Sequence, residues 1–194
     1  MRIKKYVILY IKYISIKKRW SVNMIIKQAT KRNIEEILNV YKEAREYMAL
    51  NGNKEQWGDN YPPRELIEED IETNKCYIAV DEIEEMICGV FYFAIENDPM
   101  YNFVDEGQWL NQNEYAVVHR IAVSMNGHNK GIASKCLDFA VNKIKENNIY
   151  DLKMDTHRDN LPMQRFLEKK GFVKCGVVYV NDGTERLAYH KIIL

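Results

Sequence analysis

The chain has 194 residues, 46% hydrophobic and 29% charged, with 28 basic side chains balanced by 28 acidic ones. One domain of ordinary size with a real core is expected, which excludes a disordered acidic chain, a strongly basic nucleic-acid binder and two full domains. The four cysteines (Cys76, Cys88, Cys136, Cys175) form no CxxC pair and sit among apolar neighbours, so they are expected to be reduced, buried and intracellular, not part of a zinc site or disulfide framework.

The zero net charge conceals an asymmetry. Residues 1–23 hold seven basic residues and no acidic one, leaving 21 basic against 28 acidic in the remainder. The apolar run from Tyr6 to Ile16 is broken by Lys12 and is far shorter than the ~20 residues a membrane span needs. Three readings stay open for this segment: a basic membrane-surface helix, a loosely docked extension, or sequence upstream of a true start at Met24. The domain itself is expected over residues 24–194.

Met24–Ala29 is β-prone, and Thr30 stands as an N-cap before Ile34, Ile37, Leu38, Tyr41, Ala44 and Met48 at helical spacing. Gly52 closes that helix, and Pro62-Pro63 opens an acidic second helix with Leu66, Ile67 and Ile71. Cys76–Val80 and Met86–Ile95, rich in β-branched and aromatic residues around an acidic turn, read as an antiparallel pair. A polar loop over 97–113 follows, then a strand over Tyr115–Val123 and a helix from Gly131 through Ile144. Another strand is expected at Asp151–Asp155, a helix over Leu161–Lys170 ended by Gly171, and a hairpin of Phe172–Val180 and Arg186–Ile193 turned at Asn181-Asp182-Gly183. The order β-α-α-β-β-β-α-β-α-β-β describes an α/β layered domain, its mixed, mostly antiparallel sheet carrying helices on both faces and a βαβ crossover in its second half.

The densest chemical signal is YAVVHRIAVSMNGHNKGIASKCLDFA, residues 115–140, where a strand runs through a glycine-bearing loop into a helix. Backbone N–H groups of such a loop and first helical turn lack intrahelical acceptors and sit at the positive end of the helix dipole, which suits a pyrophosphate; an ordinary strand-to-helix turn has the same composition. GxGxxG and GxxxxGK[ST] are both absent.

These residues resemble the GNAT superfamily of N-acetyltransferases. His128-Asn129-Lys130-Gly131-Ile132-Ala133 matches the family's [Q/R]-x-x-G-x-[G/A] at the glycine and alanine, with His where Arg or Gln is usual. Asn160 through Phe172 looks like the family's asparagine, amphipathic helix and terminal EK-x-GF. The resemblance implies acetyl-CoA as co-substrate, its pyrophosphate on His128, Asn129, Lys130, Gly131, Ile132, Ala133 and Ser134. Its pantetheine arm would run beside Ile121, Ala122 and Val123, with Asn160 and Phe166 contacting it from the following helix. Asn160 also reads as a helix N-cap, and the two roles are compatible.

The activity implied is direct attack of an amine on the thioester, with an oxyanion held by a backbone N–H of the Ile121–Val123 strand. His119 is the candidate base: strict alternation puts it on the face of Ile121 and Val123, and its reference pKa suits proton removal near neutrality, although a structural histidine satisfies the same pattern. Glu114, Tyr115 and His157 are weaker candidates. The tyrosine that many family members carry four residues before the GF glycine is replaced by Leu167. Gln56-Trp57, Tyr61, Tyr92, Trp109 and Tyr179 are candidates for an acceptor pocket.

The leading reading is therefore a cytoplasmic N-acetyltransferase acting on a small-molecule or peptide amine, with no metal, no nucleic acid and no membrane span, and compatible with a homodimer. A non-catalytic acyl-CoA-binding module is the alternative that Leu167 leaves open; an interaction protein on the same scaffold is a third.

Overall fold

The computed structural model describes residues 24–194; the basic segment 1–23, and the expectations made for it, lie outside the described residues. Seven strands form one sheet: β1 (Met24–Gln28), β2 (Cys76–Asp81), β3 (Met86–Ile95), β4 (Tyr115–Val123), β5 (Asp151–Thr156), β6 (Val173–Tyr179) and β7 (Glu185–Ile192). Their spatial order is β1-β2-β3-β4-β5-β7-β6. Helices α1 (Ile34–Leu50), α2 (Arg64–Glu72), α3 (Ile132–Glu146) and α4 (Leu161–Lys169) complete the layers. The element order is the expected one. Only β4 and β5 pair in parallel, and α3 is the crossover that joins them. No described helix is long and apolar enough to cross a membrane.

The helices divide between the two faces according to their apolar stripes. On one face, Ile34, Ile37, Val40, Tyr41 and Ala44 of α1, with Ile67 and Ile71 of α2, pack against Ile78, Val80, Val90 and Ala122. On the other, Ile132, Cys136, Leu137, Ala140 and Ile144 of α3 and Leu167 of α4 cover Phe91, Phe93, Val118 and Ile121. Covered on both sides, β3 is buried almost end to end, which explains its unbroken apolar run where a half-exposed strand would alternate. All four cysteines are buried and unpaired.

The loop over 97–113 is polar in sequence yet packs as a third layer over the second half of the α1 face. Tyr101 and Trp109 bury against Tyr92, Tyr115, Val117, Cys175, Val178 and Ala188, and the Trp109 indole N–H donates to the Tyr101 carbonyl at 2.8 Å. Asp105 forms an isolated antiparallel bridge with Val177. Asn111 and Asn113 donate to the buried Asp151, which also meets His190 at 2.9 Å. Backbone-to-backbone contact fixes the loop on β6: a Cβ at Gly107 would lie 2.1 Å from the Cys175 carbonyl oxygen.

The strands that matter most for function are β4 and β5. They pair only over Tyr115–Val117 and Asp151–Lys153 and then diverge. The remainder of each strand is left with one edge free of its neighbour, and a cleft opens between them.

Gly107→Ala forces the loop off β6 because its contact is backbone rather than a side-chain tip. Overpacking of this kind typically costs about 1–3 kcal/mol. Urea denaturation of the variant should show a loss in that range, whereas Gly52→Ala, whose Cβ meets nothing within 4 Å, strains only its own φ of 82°.

Candidate active site

The centre of β4 is not regular. His119 pairs with Tyr92 and Ala122 with Val90, so Arg120 and Ile121 together oppose the single residue Phe91. This is a β-bulge, and Arg120 adopts φ 50° within it. The extra residue reverses the alternation that the sequence suggested. His119 points to the side of Tyr92 and the α1 face, while Ile121 and Val123 pack with the α3 and α4 layer. The expectation that His119 shares a face with Ile121 and Val123 is therefore corrected: strict period-2 counting fails across a bulge.

Three side chains hold the bulge. The Tyr41 hydroxyl of α1 donates to the Arg120 carbonyl at 3.0 Å. The Arg120 guanidinium donates to both oxygens of Asp70 in α2, at 2.8 and 2.6 Å, and lies 4.6 Å from the centre of the Tyr92 ring. Burial raises the Asp70 carboxyl, the Arg120 charge opposes that rise, and the pair keeps Arg120 protonated.

Beside the bulge, His119 is clamped between two carboxylates from different elements. Its Nε2 is 2.8 Å from Asp98 Oδ2 in the 97–113 loop and its Nδ1 is 3.4 Å from Asp155 Oδ1 in β5. Asp155 also accepts a 2.7 Å hydrogen bond from the Tyr101 hydroxyl, and Asp98 accepts one from the Met100 N–H at 2.9 Å. Burial works against the imidazolium, but the hydrogen bonds to Asp155 and Asp98 outweigh it and raise the His119 pKa to about 9. The two carboxyls respond in kind: burial would raise them, and the His119 charge holds both below their ordinary range.

This cluster forms one wall of a cavity of about 710 Å³. Val118, Ile121, Met154, Thr156, Asn160 and Met163 line the part between the diverging strands, and Met48, Gln56, Trp57, Tyr61, Leu66 and Met100 line the outer part. Glu55, Asp182 and Arg186 bring charge to it. The Thr156 hydroxyl is fully buried with no hydrogen-bond partner among the described residues. Asn160 caps α4 by accepting from the Met163 N–H at 3.2 Å, and its Nδ2 donates to Gln56 Oε1 at 2.9 Å.

The loop after β4 reaches α3 through Gly131, which caps the helix at φ 73° with nothing within 4 Å of where a Cβ would stand. Asn129 and Lys130 are exposed, Ala133 and Ser134 half-buried, and the Ile132 side chain is in the core, so its contribution to this surface is its N–H. The His128 ring packs edge-on to Tyr47, with its Nε2 3.3 Å from the Val123 carbonyl oxygen. The loop is thus tied directly to the end of β4.

Of the residues singled out from sequence, His119, Ile121, Gln56, Trp57, Tyr61 and Asn160 meet at the cavity. Tyr92 bonds Glu96, Trp109 is packed in the loop layer, Tyr179 bonds Asp105, and none of them lines it. His157 turns to Asp159. Phe166 packs partly buried against the core, and Leu167 is fully buried there. Asp70, Asp98, Asp155 and Arg186 escaped the sequence reading, since isolated acids and an arginine carry no spacing signal until the fold assembles them.

Comparison with known proteins gives a consistent picture. The family model described as acetyltransferase (GNAT) family matches residues 34–172. A crystal structure of a GNAT-family acetyltransferase from Streptococcus agalactiae 2603 is 32% identical and superposes with a TM-score of 0.77 over 88% of this chain and 96% of its own. A Staphylococcus aureus Mu50 protein described as an acetyltransferase is 25% identical, with a TM-score of 0.64 over 87% of this chain and 98% of its own. The NatC complex, solved bound to Gag peptide and CoA, shares the fold at 15% identity and a TM-score of 0.60, covering 88% of this chain and 99% of its own. No curated relative matches the chain in sequence.

Asp70→Asn keeps the shape of the Arg120 partner but removes its charge, leaving a buried guanidinium uncompensated. Breaking a buried pair in this way costs about 3–5 kcal/mol. Chemical denaturation should show a loss of that order, and a change under ~0.5 kcal/mol would mean that the pair does not hold the bulge.

Proposed function

Because the chain belongs to the GNAT acetyltransferase family, we propose that it is an acetyl-CoA-dependent N-acetyltransferase, acting by direct attack of a primary amine of a small molecule or peptide. The observation that carries this reading is the cavity where β4 and β5 part, walled by a histidine between two carboxylates. Four buried, unpaired cysteines are in keeping with a reducing, cytoplasmic setting.

The residues present fit acetyl-CoA. The free edge of β4 over Ile121, Ala122 and Val123 offers backbone groups to an amide-bearing arm as an added strand would. The orphaned Thr156 hydroxyl and the Asn160 amide line the same cleft. The N–H groups of Ile132, Ala133 and Ser134 begin α3 without intrahelical acceptors, beside the open surface at Gly131 and the exposed Lys130. When bound, acetyl-CoA supplies an acyl group activated as a thioester.

The chain's own groups then manage charge and protons. Asp98, His119 and Asp155 together carry one net negative charge while the imidazole is protonated, which favours an incoming ammonium over a neutral amine. The amine proton reaches His119 by way of a carboxylate, since both ring nitrogens face one, and the carboxylates that raise its pKa make it the stronger base. Because its pKa is raised to about 9, the basic form is the minor one at neutral pH and grows with alkalinity. The bulge leaves one β4 residue outside the regular ladder, so a backbone N–H of this segment is available to an oxyanion. With Leu167 buried in the core, the departing thiolate has no tyrosine at that position, and water in the open cavity is its proton source.

Two outcomes follow. The pH profile of kcat should rise along a limb near pH 9 rather than near 6.5, and His119→Ala should remove that limb and lower kcat by about 10²- to 10⁴-fold while acetyl-CoA affinity is unchanged. A variant with near-normal kcat and the same limb would make His119 a clamp only. Gly131→Asp tests the anion surface: aspartate tolerates positive φ and suits a helix N-terminus, so the fold should persist, while its carboxylate should weaken acetyl-CoA binding about tenfold or more by calorimetry. Unchanged affinity would move the phosphates elsewhere.

A further inference from the structure

Arg186 lines the same cavity, is only 9% exposed, and has no carboxylate within ion-pair distance among the described residues. Among the described residues its guanidinium donates solely to main-chain carbonyls, from Nη1 to Glu185 at 2.9 Å and from Nη2 to Gln56 at 3.3 Å. The neighbouring Glu185 carboxylate is instead engaged by Arg158 at 2.8 Å. A buried guanidinium is a costly group to leave without a counter-charge, and three of its five donors remain for one.

The facing titratable groups are the exposed Glu55, Asp155, whose carboxyl Arg186 helps to hold down, the rim residue Asp182, held down chiefly by its hydrogen bond to Thr184 with Arg186 adding to it, and His157, kept neutral mainly by burial and then by Arg186. None of them pairs with it. Beside Arg186, Gln56 Oε1 accepts from both Asn53 Nδ2 and Asn160 Nδ2, at 2.8 and 2.9 Å, which fixes the amide with its Nε2 as a second donor. Asp155 pairs with Ala188 of β7, and Arg186 lies two residues further along, on the same face. Cross-strand diagonals of this kind bring side chains within about 7–8 Å. A positive site and the negative Asp98–His119–Asp155 cluster thus share one wall, and Trp57, Tyr61, Leu66 and Met48 supply apolar surface opposite.

We propose that the acceptor is zwitterionic, an amine bearing a carboxylate a few atoms from its nitrogen and an apolar side chain. Its carboxylate is bound by Arg186 with Gln56, and its ammonium faces His119. This rests on the acetyltransferase reading above and narrows its acceptor class.

The test uses the full chain and three probes of matched side chain: L-leucine, L-leucinamide and 3-methylbutylamine. Binding is followed by tryptophan fluorescence, and turnover by thiol release from acetyl-CoA. Wild type should bind leucine about tenfold or more tighter than either probe lacking the carboxylate. Arg186→Gln should erase that preference while leaving leucinamide within about twofold, and Arg186→Lys, which keeps the charge and loses the fork, should retain part of it. Equal wild-type affinity for all three, or an equal loss for all three in the folded variants, overturns the proposal. Selective binding of leucine without thiol release from any probe would sink the acetyltransfer reading alone. Thiol release with the two uncharged-end probes but no leucine preference would sink the zwitterion proposal alone.

Discussion

Two parallel strands that begin paired and then separate leave backbone donors and acceptors without a ladder, and such groups must find partners or stay accessible to them. In this protein that constraint falls on β4 and β5 after Val117 and Lys153. The layers on both faces follow from it. α3 and α4 cover one side up to the cleft, and α1, α2 and the 97–113 loop cover the other, so the free strand edges open into a bounded cavity rather than into bulk water. The bulge at Arg120 belongs to the same solution. It turns a strand that would carry His119 and Ile121 on one face into one that presents them to different layers.

Electrostatics then makes the cavity specific. Two of the buried charges at the cavity are met by groups from other elements: Arg120 of β4 by Asp70 of α2, and His119 of β4 by Asp98 of the loop and Asp155 of β5. These ion pairs are poor sources of net stability, since desolvation cancels most of their attraction, but they tie the strand, the helices and the loop into one arrangement. They also set the protonation of His119, whose pKa depends on carboxylates contributed by two other elements. Arg186, unlike Arg120 and His119, has no ion-pair partner among the described residues, and its position on the cavity wall gives that difference a chemical meaning.

Much of the architecture was legible in the chain. Apolar periodicity, caps and turn residues specified the eleven-element order, and local rules suffice for that because helices and hairpins close over short separations. The strand, the loop with Gly131 and the helix beyond it could be read as an anion surface because its groups are consecutive. The resemblance to the acetyltransferase family rested on those residues and on the segment from Asn160 to Phe172, and the family match over 34–172 includes both.

What only the tertiary structure decided was everything that depends on distance without sequence proximity. Strict alternation could not reveal the bulge, because an inserted residue is defined by what faces it on β3 and not by its own chemistry. The loop over 97–113 reads as polar and unstructured, yet it brings Asp98 to His119 because Tyr101, Trp109 and Gly107 pack it onto the sheet. Asp155 and Arg186, 31 positions apart in the chain, share a face only through the register of β5 with β7. The sequence by itself determined the strand-loop-helix unit and the layers around it; the sheet's register, bulge and loop packing determined which charges meet at the cavity, since charge pairing follows from distances that no local pattern encodes.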